Sequence, residues 1–82
     1  MEVLRYTIIL KEEPEGGYTV IVPSLPGCVT YGKTVEEAKK MAADAIKGYL
    51  ASLKKHHEPV PEDAASLITS IDLKIRKGLA YA

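Results

Sequence analysis

The segment Pro-Ser-Leu-Pro-Gly-Cys, residues 23–28, constrains the fold of this chain more than any other stretch of its sequence. Proline has no amide hydrogen to give to a strand ladder, so Pro23 and Pro26 together exclude a paired strand here. Pro26-Gly27 is also a turn signal in its own right. The segment therefore predicts a rigid bend that ends one strand and leads into another at Cys28.

Short strands are predicted on both sides of this bend and near the end of the chain. Two stretches rich in β-branched and aromatic residues precede it, and a charged turn with two glycines joins them, which predicts an antiparallel hairpin. Near the end, Ile71, Leu73 and Ile75 alternate with charged residues, as in a half-buried strand. The four predicted strands cover residues 3–10, 18–22, 28–31 and 66–75.

A capping box opens a helix after the third predicted strand. Thr34 can accept a hydrogen bond from the amide of Glu37, and the Glu37 side chain can reach back to the amide of Thr34. Apolar residues then recur at three- and four-residue steps until two prolines end the pattern, which predicts an amphipathic helix over residues 35–54. The expected fold class is α+β with the order β-β-β-α-β in a single domain, residues 1–82. An antiparallel meander is followed by one crossover helix, packed on one face of the sheet, and a fourth strand.

Composition excludes several classes of function. Eleven basic and eleven acidic residues give a formal net charge of zero, whereas a nucleic-acid-binding domain usually carries a basic patch. No apolar run approaches the ~20 residues that span a bilayer, so no membrane role is expected. A lone cysteine and no export signal indicate the cytoplasm. Because so short a chain has neither a disulfide nor a zinc cluster to stabilise it, self-association is expected.

No group of residues predicts a catalytic, metal or cofactor site. Cys28 has no base near it and is typical of a small buried apolar residue. His56 and His57 suit a solvated helix end, although a shared metal site with Glu58 or a second chain stays open. Asp72 lacks the second carboxylate that two-metal or acid–base chemistry needs. We therefore expect a binding module that is not an enzyme, with no catalytic residue, no metal and no cofactor.

The uncovered face of the sheet is the first candidate contact surface. One helix can cover only one face, and the other is expected to carry a partly apolar set of residues. This face, or the edge of the sheet, is expected to meet another chain. Tyr31, at a strand end, fits either the edge of the core or a contact surface. The residues expected on the uncovered face are Thr7, Ile9, Thr19, Ile21 and Thr30.

Residues 17–53 resemble the HicB family of antitoxins and antitoxin-like domains. The resemblance rests on a strand of the type GGYxVxxP, the turn SLPGC, a short strand that ends in glycine, and the helix start TVEEA. It implies a reduced RNase H-like fold without catalysis and cytoplasmic homo-oligomers, either dimers or tetramers. It also implies a HicA-like toxin as partner, an mRNA-cleaving ribonuclease that the antitoxin neutralises by direct binding.

With this resemblance, contact residues are expected at the bend and at the junction of strand and helix. No DNA binding is expected from this chain alone, because little sequence follows the last predicted strand. Two alternatives stay open: an orphan oligomeric scaffold or small-ligand-binding module without a toxin, and a residual nuclease or RNA binder, whose electrostatics are poor. The candidate partner-binding residues are Pro26, Gly27, Tyr31, Lys33 and Glu36.

Overall fold

The fold, seen in a computed structural model, is a three-stranded sheet followed by one long helix. The structure describes residues 3–63, 68–76 and 78. The three strands and the helix confirm the α+β class and the predicted order β-β-β-α. The elements are β1 (Ile9–Glu12), β2 (Tyr18–Ile21), β3 (Val29–Gly32) and α1 (Val35–Lys55).

The sheet is an antiparallel meander with the strand order β1-β2-β3. Directly paired residues point to the same face, and successive residues of a strand point to opposite faces. The row Leu10, Val20 and Thr30 therefore faces α1, because Val20 is fully buried in the core beneath the helix. The next row, Ile9, Ile21 and Val29, lies on the uncovered face. Thr30 was expected on the uncovered face and that expectation is wrong.

The bend of residues 23–28 is closed by its own backbone. The amide of Val22 donates to the carbonyl oxygen of Cys28 at 3.1 Å, and the amide of Cys28 donates to that of Leu25 at 2.9 Å. Leu25 lies fully buried with Val22 and Cys28 in one core cluster. Gly27 takes a φ of +81°, a conformation that glycine adopts without steric cost. The bend is thus a packed part of the core.

The first strand is shorter than predicted, and the bend explains why. The register pairs Ile9 with Ile21, so residues 3–8 would need partners in residues 22–27. Those positions belong to the bend, where Pro23 and Pro26 lack the amide hydrogens that a ladder needs. Residues 3–8 therefore have no regular strand pairing, although Tyr6 and Ile8 still pack against the core.

The helix begins at the predicted cap. The Thr34 hydroxyl accepts a hydrogen bond from the Glu37 amide at 3.0 Å, as expected of a capping box. The Glu37 carboxylate accepts from the amide of Lys33 at 3.3 Å, one residue before the predicted partner Thr34. Buried Ala38 and Ala42 bring α1 close to β2 and β3. The helix ends at Lys55, and the amide of the next residue, His56, donates back to carbonyl oxygens of the last turn.

The fourth strand is not formed where the structure describes its residues. Residues 68–76 have no strand structure, and the rest of the predicted span, residues 66 and 67, lies outside the described residues. A strand needs a neighbouring backbone edge, and among the described residues the sheet pairs only β1, β2 and β3. Its large aliphatic side chains are therefore exposed, with fractions of 77% for Ile71, 72% for Leu73 and 51% for Ile75.

Candidate partner-binding surface

The described residues do not bring together a group that could hold a metal ion. No three His, Cys, Asp or Glu side chains come together among residues 3–63 and 68–76. Cys28 is buried, and burial raises the pKa of its thiol, so the reactive thiolate is disfavoured. His56 Nδ1 lies 2.8 Å from the carbonyl oxygen of Ser52, a local contact at the end of the helix.

Asp63 joins three separate segments, which the sequence did not reveal. Its carboxylate accepts hydrogen bonds from the Ser24 hydroxyl at 2.7 Å and from the Thr7 hydroxyl at 2.8 Å. The hydrogen bonds from Ser24 and then from Thr7 lower the pKa of Asp63 below its usual value. Next to it, the Tyr6 hydroxyl donates to the carbonyl oxygen of Pro61 at 2.6 Å. These contacts hold the segment after α1 against residues 3–8 and against the bend.

The predicted contact residues at the bend are exposed, and a hydrogen bond to α1 holds the bend in place. Pro26 and Gly27 are both exposed, and a side chain added at Gly27 would meet open space. The carbonyl oxygen of Pro26 accepts a hydrogen bond from the Tyr49 hydroxyl at 2.9 Å, which ties the bend to the middle of α1. This geometry presents a fixed, solvent-facing turn with no reactive group.

The other predicted contact residues lie at the far end of β3 and just after it. Tyr31 is exposed on the uncovered face, and its hydroxyl donates to the carbonyl oxygen of Gly16 at 3.0 Å. Lys33 and Glu36 are exposed at the start of α1. Gly27 and Tyr31 are four residue steps apart, a distance of about 13 Å along an extended chain. The five residues therefore form two groups, one at each end of β3.

An apolar strip crosses the uncovered face of all three strands. Ile9, Ile21 and Val29 stand directly opposite one another and are exposed. The neighbouring row consists of Lys11, Thr19 and Tyr31, and places the Tyr31 ring beside the strip. The sequence predicted that Ile9 of β1 and Ile21 of β2 lie on this face, but it did not predict Val29 there. The signal was present, because a buried Cys28 implies by alternation that Val29 faces the other way.

Comparison with known proteins identifies the family. The family described as the HicB-like antitoxin of bacterial toxin–antitoxin systems matches residues 6–76. The chain belongs to this HicB-like antitoxin family. The match includes the bend, α1, the Asp63 contacts and the exposed segment near the end of the chain.

Relatives of this family differ in how much of their length the chain covers. A UPF0150 protein of Thermoplasma acidophilum is 48% identical over 66 residues, which are 80% of this chain and 96% of the relative. Antitoxin HicB 1 of Photorhabdus laumondii is 38% identical over 58 residues, 71% of this chain and 37% of the relative. Antitoxin HicB of Escherichia coli K12 is 44% identical over 43 residues, 52% of this chain and 31% of the relative. The match to the two named antitoxins thus spans well under half of their length.

The helix of the described residues does not resemble a membrane span. Among those residues, no helix is both long enough and apolar enough to cross a bilayer. The outer side of α1 carries the charged residues Lys39, Lys40, Asp44 and Lys47.

Proposed function

We propose that this chain is the antitoxin-type domain of a HicA/HicB-type pair that neutralises a small mRNA-cleaving toxin by direct binding. Membership of the HicB-like antitoxin family supports an antitoxin role in general. The proposal extends that role to physical capture of the toxin by this chain, in the cytoplasm, on a reduced RNase H-like fold.

The observation that carries the proposal is the apolar strip of Ile9, Ile21 and Val29 on the uncovered face of the sheet. Exposed aliphatic residues in one row, bordered by an aromatic hydroxyl and by charged side chains, have the composition of a protein-binding surface. Tyr31 supplies the aromatic edge, and Lys33 begins the charged rim at the helix start. We place the toxin on this face, with the apolar strip at the centre of the contact and Tyr31 at its edge.

A role without catalysis is part of the same proposal. Two potentially reactive groups are held in local contacts, since the Cys28 thiol is buried and the Asp63 carboxylate accepts hydrogen bonds from the hydroxyls of Ser24 and Thr7. Binding alone is sufficient for neutralisation, because a toxin with a covered active surface cannot reach its RNA. We further propose that the chain self-associates, since a chain of 82 residues whose described part buries six apolar residues gains stability from a second copy.

A pair of matched variants tests the proposed surface. Ile21 on the uncovered face is 39% exposed and Met41 on α1 is 40% exposed, so replacing either with lysine disturbs a side chain of equal accessibility. Each variant is co-expressed with a HicA-type toxin encoded beside its gene, and toxin binding is measured by co-purification and titration calorimetry. We expect Ile21→Lys to weaken binding by at least about tenfold and to abolish rescue of growth, while Met41→Lys behaves as wild type.

Two other results would contradict parts of the proposal. Equal toxin binding by Ile21→Lys and the wild type would show that the toxin does not bind the uncovered face. Failure of the wild type itself to bind or to rescue growth would overturn the neutralising role and favour the orphan scaffold.

A further inference from the structure

The segment of residues 68–76, here named the C-terminal arm, extends away from the rest of the chain. Its aliphatic residues Ile71, Leu73 and Ile75 are all more than half exposed. The Cα radius of gyration is 16.5 Å and the longest extent is 52 Å. A compact domain of this length has a radius of gyration of about 12 Å. The arm therefore carries a strand-like apolar pattern that its own chain leaves uncovered.

An apolar groove runs along one flank of α1. It has a volume of about 480 Å³, and Leu4, Tyr6 and Ile8 of the N-terminal segment form one wall. The opposite wall is α1, with Ala43, Ile46 and Leu50. A second depression continues it past Leu50 and Leu4 to Pro59 and Val60. We name the two together the α1 groove.

The arm and the α1 groove have matching lengths. The helix wall reaches from Lys39 to Lys54, which is fifteen residue steps, or about 22 Å at the helical rise. Residues 69–76 in extended form span seven steps of about 3.3 Å, or about 23 Å. In an extended chain Ile71, Leu73 and Ile75 point to the same side, so all three can enter the groove together.

The charges of the arm fit the rim of the groove when the arm runs in the direction of α1. With Thr69 placed beside Lys39, Asp72 stands about 10 Å along the groove, close to the level of Lys47 on the rim. Arg76 reaches the far end of the groove, where Glu58 lines the rim. The reverse direction would keep Asp72 near Lys47 but would bring Arg76 to Lys39 and lose the pairing of Arg76 with Glu58. Rim pairs of this kind fix direction more than they add affinity.

We propose that the C-terminal arm of one copy occupies the α1 groove of a second copy, and that the exchange is reciprocal. Reciprocal exchange closes into a two-fold dimer and covers three exposed aliphatic residues on each side. In its own chain Asp63 is held at Thr7 and Ser24, and the arm lies outside the groove with its aliphatic residues exposed. The arm that occupies the groove therefore comes from another copy. This inference rests on the self-association part of the proposed function and does not depend on a toxin.

Crosslinking between two differently tagged proteins tests the exchange. Both carry Cys28→Ala, one also carries Leu73→Cys in the arm, and the other carries Ala43→Cys in the groove wall. They are mixed, unfolded, refolded together and treated with a short bismaleimide. The control replaces Ala43→Cys with Val35→Cys, an exposed position at the start of α1 outside the groove. We expect the hetero-crosslinked band to be at least about tenfold stronger with Ala43→Cys than with Val35→Cys.

Equal bands with the two groove-side proteins would overturn the exchange. So would a protein with both Leu73→Cys and Ala43→Cys that crosslinks only within itself, because its arm would then occupy its own groove.

Light scattering after size-exclusion chromatography separates the arm from self-association in general. We expect a dimer for the wild type, a monomer for Leu73→Asp, and a dimer for Ser70→Asp, whose side chain points to the rim. A dimer for all three proteins would overturn the arm proposal and leave self-association through another surface. A monomeric wild type would overturn both, while toxin binding, measured separately, would still decide the neutralising role.

Discussion

Replacing Gly32 with alanine is the sharpest test of how α1 sits on the sheet. Gly32 is buried at the end of β3, beneath the first turn of the helix. An added Cβ would lie 2.8 Å from the carbonyl carbon of Glu37 and closer still to the amide nitrogen and Cα of Ala38. These are backbone atoms, which cannot rotate aside, so the start of α1 has to move away from β3.

The structure gives the size of this effect. An ordinary contact needs about 3.4 Å or more, so the first turn of the helix must shift by roughly an ångström. Ala38 is fully buried against Val20 and Ala42, and it would move with that turn. Inserting a methyl group into such packing costs about 1–3 kcal/mol. For a domain of this size each kcal/mol lowers Tm by about 4–8 °C, so we expect a decrease of about 8–16 °C for a loss of about 2 kcal/mol.

Gly48 provides a control with the same chemical change and the opposite expected sign. It lies inside α1, and a Cβ there would meet nothing within 4 Å. Alanine in place of glycine in a helix interior adds about 0.5–1 kcal/mol of stability. Thermal and guanidinium unfolding, followed by circular dichroism at one protein concentration, measure both variants. If Gly32→Ala unfolds within about 0.5 kcal/mol of the wild type, the close approach of helix and strand is refuted.

Three further predictions concern the cap, the Asp63 contacts and the buried thiol. Thr34→Ala should lower the free energy of unfolding by about 1 kcal/mol while Thr34→Ser retains it, and equal losses in urea titrations would contradict the cap. Hydrogen bonds from Ser24 and Thr7 lower the pKa of Asp63 in the folded state. Their contribution to the free energy of unfolding is therefore present above the unfolded-state pKa near 3.8, and it is lost as the pH falls through the lower folded-state pKa. Asp63→Asn should therefore be less stable than wild type at pH 7, with a difference that shrinks in acid, and a constant difference from pH 7 to 3 would disprove the linkage. Cys28 should react with a thiol reagent much more slowly in the folded chain than in denaturant, and equal rates would contradict its burial.

Local patterns in the sequence predict the helix and the second strand closely. The capping box places the start of α1 at Val35, and residues 18–22 contain the observed β2, Tyr18–Ile21. Both rest on short-range chemistry, since the cap is made by residues three apart and the strand is bounded by a glycine pair and by Pro23. Both elements are predictable from the sequence because the interactions that set their bounds are made by residues close together along the chain.

Elements that depend on distant partners were less predictable. Residues 3–8 have the composition of a strand, but their partners would fall in the bend, a fact that only the pairing of Ile9 with Ile21 reveals. A shift of one residue in β3 also moves Thr30 from one face to the other, because strand side chains alternate. Asp63 gave no signal, since its partners Ser24 and Thr7 are 39 and 56 residues away.

The C-terminal arm shows what an alternating pattern does and does not specify. Ile71, Leu73 and Ile75 indicate that one side of an extended segment is to be buried, but the pattern does not name the edge or groove that buries it. Within one chain this burial is missing, so the pattern describes an interface as readily as it describes a core. The groove wall of α1 and the apolar strip of Ile9, Ile21 and Val29 are separate surfaces, and the strip lies on the face that α1 does not cover. The proposed self-association through the arm and the proposed capture of a toxin on the uncovered face therefore do not compete for the same residues, and a dimer of the proposed kind would leave both uncovered faces open.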